Sequence, residues 1–89
     1  MKAPDRYSLT FLPEVRADVA WMIIEARDSE YLSECIVRID GALRTAPLTV
    51  GEGRESDVDR CLFEGPLTVF YEVDRDAAAV VVTAVFRVR

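Results

Sequence analysis

The chain has 89 residues, of which 51% are hydrophobic and 30% are charged, and its formal net charge is −5. This length predicts a single domain spanning residues 1–89, and the composition is that of a globular protein rather than a disordered one. Domains that bind nucleic acid through its phosphates usually carry a basic surplus, so the acidic balance argues against such a domain, although it leaves room for a local basic patch. No apolar run approaches a membrane span and the N-terminus lacks a signal-peptide core, so we expect a cytoplasmic protein.

Histidine and cysteine give no indication of a metal site. The sequence contains no histidine, which removes the commonest general base and the commonest metal ligand. Cys35 and Cys61 lie within apolar patterns and lack the spacing of metal ligands. We interpret both as small reduced core residues, with a disulfide as the alternative. We therefore expect neither a metal site nor a cofactor.

A strand followed by a helix opens the predicted fold. Between Asp5 and Leu12 apolar and polar residues alternate, which is typical of a half-buried strand. Pro13 suits the first position of a helix, where a missing N–H costs nothing, and Glu14 suits the positive helix N-terminus. The helix is predicted to run to about Asp28, with one apolar stripe made of Val15, Val19, Met22, Ile23 and Ala26.

A second apolar cluster lies on the other side of this helix. It consists of Ala17, Ala20, Trp21 and Ile24, which we call the Trp21 patch. One interpretation is that the patch packs against the next helix. The other is that Trp21 and Ile24 anchor a second protein chain, since aromatic residues dominate the energetics of interfaces. The patch is our candidate partner-binding site.

The second predicted helix runs from about Glu30 to Ala46, with Ser29 as its N-cap and Pro47 ending it. Its short connection to the first helix predicts an antiparallel helical hairpin. Its apolar stripe contains Leu32, Ile36, Ile39 and Leu43, widened by Cys35, Ala42 and Ala46. A loop follows at Leu48 to Asp57, whose Gly51-Glu52-Gly53 is no phosphate loop because it neither follows a strand nor opens a helix with a lysine.

Three strands complete the chain, at Val58 to Glu64, Leu67 to Asp74 and Ala77 to Val88. The turns between them are Gly65-Pro66 and Asp74-Arg75-Asp76. In the second of these strands Leu67, Val69, Tyr71 and Val73 form the apolar face. In the last strand, alternation places Val80, Val82, Ala84, Phe86 and Val88 on one face, and Val81, Thr83, Val85 and Arg87 on the other.

The element order is therefore β-α-α-β-β-β, which predicts an α+β fold. We expect the helical hairpin to cover one face of a four-stranded antiparallel sheet in which the first strand pairs with the last. The other, open face is expected to be half polar. Its predicted residues are Thr68, Phe70, Thr83, Val85, Arg87 and Arg60.

This pattern resembles the RelE/ParE toxin superfamily over nearly the whole chain. The resemblance rests on the element order, the length, the helix ending in Ala46-Pro47, the Gly65-Pro66-Leu67-x-Val69-x-Tyr71-x-Val73 strand and the closing stretch from Val80 to Arg87. It implies the toxin component of a bacterial type II toxin–antitoxin system, a growth inhibitor neutralised by a small cognate antitoxin.

The superfamily divides by activity. RelE-like members cleave messenger RNA on the ribosome with lysines, arginines and often a C-terminal tyrosine, whereas ParE-like members inhibit DNA gyrase without hydrolysis. Cleavage of RNA requires a base, a stabiliser of transition-state charge and an acid. The candidate catalytic residues here are Arg54, Arg60 and Arg87, and Arg87 best matches the family's arginine near the end of the last strand.

The chain departs from the RelE pattern, since its only lysine is Lys2 and no tyrosine follows Arg87. Three hypotheses stay open. The first is a ParE-like toxin that acts by binding a macromolecular target, and the second is a RelE-like endoribonuclease with an arginine-only site. The third is an inactive relative that serves only in protein association. A homodimer stays open, and the three arginines could instead form salt bridges at solvated strand ends and in loops.

Overall fold

The computed structural model of the chain describes residues 6–54, 56 and 58–88. It contains two helices and five strands, in the predicted order except for one added two-residue strand within the loop. These elements are β1 (Ser8–Phe11), α1 (Pro13–Glu25), α2 (Ser29–Thr45), β2 (Glu52–Gly53), β3 (Asp59–Glu64), β4 (Leu67–Asp74) and β5 (Ala79–Arg87). Among the described residues, neither helix is long and apolar enough to cross a membrane.

The five strands form one mixed sheet in the order β1-β5-β4-β3-β2. Three of the four neighbouring pairs are antiparallel, and β1 runs parallel to β5, with Ser8 opposite Ala79 and Phe11 opposite Val82. The predicted neighbours β1 and β5 are confirmed, and so is the α+β fold with its helical hairpin. The prediction of four strands, all antiparallel, is wrong.

The direction of α2 explains the parallel pair. The N-cap residue of α2, Asp28, accepts hydrogen bonds from Arg87 at the end of β5. At the other end of α2, the Arg44 carbonyl accepts from the N–H of Tyr7, just before β1. Helix α2 therefore runs antiparallel to β1 and β5. Helix α1 begins one residue after β1 and must reach the start of α2, so it continues in the direction of β1. The chain therefore reverses direction one time fewer than predicted, which makes β1 and β5 parallel.

The core lies between α2 and the sheet. The fully buried residues of α2 are Leu32, Cys35, Ile39 and Leu43, which confirms its predicted apolar stripe. They pack with the apolar faces of β4 and β5, at Leu67, Val69, Tyr71, Val73, Val80 and Val82. Helix α1 buries only Val15 completely, while Val19, Met22 and Ile23 are partly buried against the same core. Helix α2 is therefore the main cover of the sheet and α1 lies at its side.

A β-bulge in β5 inverts the alternation of its side chains between the core and the open face. Tyr71 pairs with Val82 whereas Phe70 pairs with Ala84, so Thr83 is the extra residue between them. Beyond a bulge the side-chain alternation shifts by one residue. Val85 consequently enters the core with 6% exposure, and Phe86 turns to the open face. The predicted faces of the last strand are correct up to Val82 and wrong from Ala84 onwards.

The two cysteines lie on opposite sides of the sheet. Cys35 faces the core from α2, whereas Cys61 pairs with Phe70 and so faces the open side. Both are buried and free. A disulfide requires the two Cβ atoms to point towards each other, and the Cys61 side chain points to the side of the sheet opposite Cys35. The interpretation as reduced thiols is confirmed, although Cys61 is buried on the open side rather than against the helices.

The buried stripe of α2 supports a stability prediction at Ile39, which is 1% exposed. We expect Ile39→Ala to lower the free energy of unfolding by about 2–5 kcal/mol, because it removes buried methyl groups and leaves a cavity. Chemical denaturation followed by circular dichroism measures this change. The matched control is Val37→Ala on the same helix, where Val37 is 70% exposed and the cost should stay within about 0.5 kcal/mol. Equal costs for the two variants would contradict the assigned helix face.

Candidate functional site

Arg60 is a buried arginine on the helix side of the sheet. It pairs with Tyr71 across the β3–β4 ladder, which places it on the same side as the core, and it is 7% exposed. Its Nη2 donates hydrogen bonds to the carbonyl oxygens of Leu48 at 3.1 Å and Gly51 at 2.6 Å. Among the described residues its Nε has no hydrogen-bond partner. Arg60 therefore binds the loop after α2 and is turned away from the open face.

Tyr71 completes this attachment of the loop. Its hydroxyl donates to the carbonyl oxygen of Pro47 at 2.6 Å. Burial raises the pKa of Tyr71 above its ordinary value of 10.0, and the neighbouring Arg60 guanidinium lowers it in part. A side chain at Gly51 would overlap the Tyr71 hydroxyl, so glycine lets the loop approach this closely. We call Arg60, Tyr71 and the Pro47, Leu48 and Gly51 carbonyls the loop clamp.

Arg87 also lies on the helix side. The bulge at Thr83 pairs Arg87 with Leu67, a core residue that is 1% exposed. Its Nη2 donates to both carboxylate oxygens of Asp28 at 3.1 Å. The pair is partly exposed and contributes little to stability, but it joins the end of β5 to the start of α2.

Arg54 is the one candidate arginine that reaches the open face. Its guanidinium lies 4.4 Å from the centre of the Phe70 ring, within the range of a cation–π contact. Its Nη1 also donates to Asp59 at 3.2 Å. The cation is thus held between an aromatic ring and a carboxylate.

The structure does not bring the three candidate catalytic residues together. Arg60 and Arg87 lie on the helix side and Arg54 lies on the open side, so the predicted placement of Arg60 and Arg87 on the open face is wrong. Each guanidinium is already engaged by carbonyls, a carboxylate or an aromatic ring. The arrangement offers no shared cleft in which these arginines could surround a phosphate.

The Trp21 patch is exposed on α1. Trp21 is 62% exposed and Ile24 is 72% exposed, and the flanking Ala17 and Ala20 are exposed as well. Packing against α2 is therefore excluded as the explanation for these four residues. The patch presents one large aromatic ring and one aliphatic side chain beside small residues, so another surface could approach the helix closely.

A second apolar surface, which the sequence interpretation missed, lies on the open side of the sheet. Phe63 and Phe86 flank Thr68 on the two neighbouring strands and are 64% and 53% exposed. The next row contains Cys61, Phe70 and Ala84, with the Phe70 and Phe86 rings edge to face at 5.7 Å between centroids. We call Phe63, Phe70 and Phe86 the aromatic face. Alternation in β3 and β4 was a signal for the first two, but Phe86 depends on the bulge.

The described residues hold no group of three or more histidine, cysteine, aspartate or glutamate side chains placed to bind a metal ion. A cavity with a volume of about 650 Å³ opens at the end of the sheet where β4 turns into β5. It is lined by Val58, Glu72, Val73, Asp74, Arg75, Asp76, Ala79 and Val81.

Comparison with known proteins identifies the fold. No protein-family model and no curated protein matches the chain. Among solved structures, the chain is similar to the crystal structure of the toxin–antitoxin complex RelBE2 from Mycobacterium tuberculosis, with a TM-score of 0.75 and 21% identity over 97% of each chain. The expected RelE/ParE-like fold is therefore confirmed, with five strands in the sheet rather than four.

The loop clamp yields a prediction for Tyr71→Phe. The change removes the hydroxyl and leaves the buried Pro47 carbonyl without its donor, so we expect a loss of about 1–3 kcal/mol in unfolding free energy. Urea denaturation at neutral pH measures it. The control is Tyr31→Phe, where the ring is 43% exposed and the loss should stay within about 0.5 kcal/mol. A negligible loss for Tyr71→Phe would mean that the hydroxyl does not hold the loop.

The raised pKa of Tyr71 also predicts a pH dependence. Because the folded state holds the phenol proton more tightly, this stabilisation is complete below the ordinary pKa of 10.0 and is lost as the pH rises through the folded pKa. The free energy of unfolding should therefore fall above pH 10.0, and it should fall less steeply in the Tyr71→Phe variant. The pKa of Tyr31 is raised too, beside Cys35, so both proteins should carry Tyr31→Phe. Parallel alkaline slopes for the two proteins would refute the prediction.

Proposed function

We propose that this chain is the toxin component of a bacterial type II toxin–antitoxin system, acting in the cytoplasm by binding a macromolecular target. The observation that carries the proposal is the likeness of fold to a chain of the RelBE2 toxin–antitoxin complex, which extends over 97% of both chains. The exposed Trp21 patch supports a protein partner. The chain thus combines a toxin-like fold with a surface suited to association.

The orientation of the arginines favours binding over RNA cleavage. An arginine-only ribonuclease needs its guanidiniums around one phosphate, so that they can stabilise the charge of the transition state. Arg54 and Arg60 lie on opposite sides of the sheet, and Arg87 is paired with Asp28. For this reason we favour a ParE-like mode, with DNA gyrase as the candidate target, over a RelE-like messenger RNA endoribonuclease.

The cognate antitoxin is the proposed occupant of the Trp21 patch. Burying an exposed aromatic side chain is favourable, at roughly 25 cal/mol per Å² of apolar surface removed from water. Ala17 and Ala20 beside Trp21 would let the backbone of a partner approach α1 closely. A homodimer through the same patch is the competing arrangement, and the association experiment below separates the two.

Growth measurements test the proposed function. Induced expression of the chain in a bacterial host should arrest growth, and the small protein encoded by a neighbouring reading frame should restore growth when it is expressed with the chain. The purified chain should then inhibit supercoiling by DNA gyrase and leave translated messenger RNA intact. Cleavage of the message with normal supercoiling would favour the endoribonuclease, whereas unimpaired growth would favour an inactive relative.

The Trp21→Ala variant tests the proposed antitoxin site. We expect the variant to weaken association with the antitoxin by roughly 2 kcal/mol or more, as is typical of a central aromatic residue at an interface. The monomer should stay folded, because Trp21 is 62% exposed. Isothermal titration calorimetry gives the affinity, and the fluorescence of this single tryptophan should shift to the blue on binding.

The matched control is Val37→Ala, which trims an exposed aliphatic residue on α2 and should leave the affinity unchanged. Sedimentation of the free chain completes the experiment. A dimer that dissociates on Trp21→Ala, together with unaltered antitoxin affinity, would assign the patch to a homodimer.

A further inference from the structure

The open side of the sheet changes character along its length. At the end nearest the β3–β4 turn, the exposed rings of Phe63 and Phe86 lie on either side of Thr68. Further along β4, Glu72 pairs with Asp59 on one side and Val81 on the other. From Thr68 to Glu72 is four residues, or roughly 13 Å along an extended strand. One short polypeptide segment can therefore contact both regions.

The far region is a groove lined by acidic and apolar residues. The 650 Å³ cavity has Val58, Ala79 and Val81 in its lining, together with the carboxylate-bearing residues Glu72, Asp74 and Asp76. In the described part of the chain none of these three carboxylates takes part in an ion pair. Arg75 lines the same groove but is outnumbered by them. The groove suits a cationic side chain whose aliphatic stem can lie on valine and alanine.

We propose that the aromatic face and this acidic groove together form a docking surface for a basic amphipathic segment of another protein. Apolar side chains of the segment cover Phe63 and Phe86, and a lysine or arginine reaches the carboxylates of the groove. The surface lies on the opposite side of the sheet from the Trp21 patch, so it is distinct from the antitoxin site proposed above. It does not depend on the chain being a toxin.

Charge disfavours the other occupants of this surface. A nucleic acid would place phosphates against three carboxylates, and the cation nearest to the aromatic face, Arg54, is already paired with Asp59. A second copy of the chain carries the same net charge of −5, so overall repulsion opposes its approach. Complementary charge across an interface favours association and like charge opposes it. The partner must therefore be basic.

The test uses a fluorescently labelled amphipathic peptide of leucine and lysine, 14 residues long, titrated with the purified chain at moderate salt. A peptide of the same pattern with glutamate in place of lysine is the charge control. We expect saturable binding of the lysine peptide, weakened by added salt, and no binding of the glutamate peptide.

Variants locate the binding surface. Phe63→Ser and Glu72→Lys should each weaken binding of the lysine peptide by about 10-fold, as expected for residues central to an interface. On the helix side, Glu34→Lys repeats the charge reversal and Val37→Ser replaces another exposed apolar residue by serine, and each should alter the dissociation constant less than about 2-fold. Circular dichroism verifies that each variant is folded. If Phe63→Ser does not fold, Phe86→Ser replaces it in the experiment.

Three outcomes would overturn the inference. Binding that the helix-side variants weaken as much as the sheet variants would show that the peptide senses only net charge. Tight salt-sensitive binding of a labelled single-stranded RNA that Phe63→Ser abolishes would assign the face to nucleic acid. A self-associated chain that Phe63→Ser converts to monomer would assign it to a second copy.

Discussion

The buried guanidinium of Arg60 attaches the loop after α2 to the sheet. Removing a cation from water is costly unless its hydrogen bonds are replaced, and here the Nη2 group donates to two loop carbonyls at 3.1 and 2.6 Å. Together with the Tyr71 hydroxyl on Pro47, these contacts attach residues 47–51 to the β3–β4 pair. The loop clamp thereby holds Glu52–Gly53 beside β3 and delivers Arg54 to the open face.

The bulge at Thr83 controls the other end of the sheet. Without it, Phe86 would continue the core face of Val80 and Val82, and Arg87 would point to the open side. With it, Arg87 binds Asp28 at the start of α2, and Phe86 contacts Phe70. One extra residue thus removes a cation from the open face and adds an aromatic ring to it. The loop clamp and the bulge thus keep Arg60 and Arg87, two of the three candidate arginines, on the helix side of the sheet.

Periodicity within single elements was enough to predict much of the fold. The stripe of α2, the alternation of β4 and the surplus apolar residues around Trp21 all appear in the structure where the pattern indicated. The prediction assumed that the chain reverses between β1 and α1. In the structure the single connecting residue Leu12 lets α1 continue in the direction of β1, so β1 runs parallel to β5. The positions of Val85 and Phe86 were missed because a bulge has no signature in alternation alone. Arg60 was predicted on the open face because its partners are backbone carbonyls, and the sequence does not show which arginine such carbonyls hold in a buried position.

The acidic balance of the chain acquires a physical role once both apolar surfaces are considered. The Trp21 patch on α1 and the aromatic face on the sheet expose large side chains that would favour self-association in a neutral protein. A net charge of −5 opposes contact between copies, and the carboxylates at the end of the aromatic face add local repulsion. The same charge repels phosphates. At both exposed apolar surfaces, the charge of the chain therefore opposes the approach of further copies and of nucleic acid.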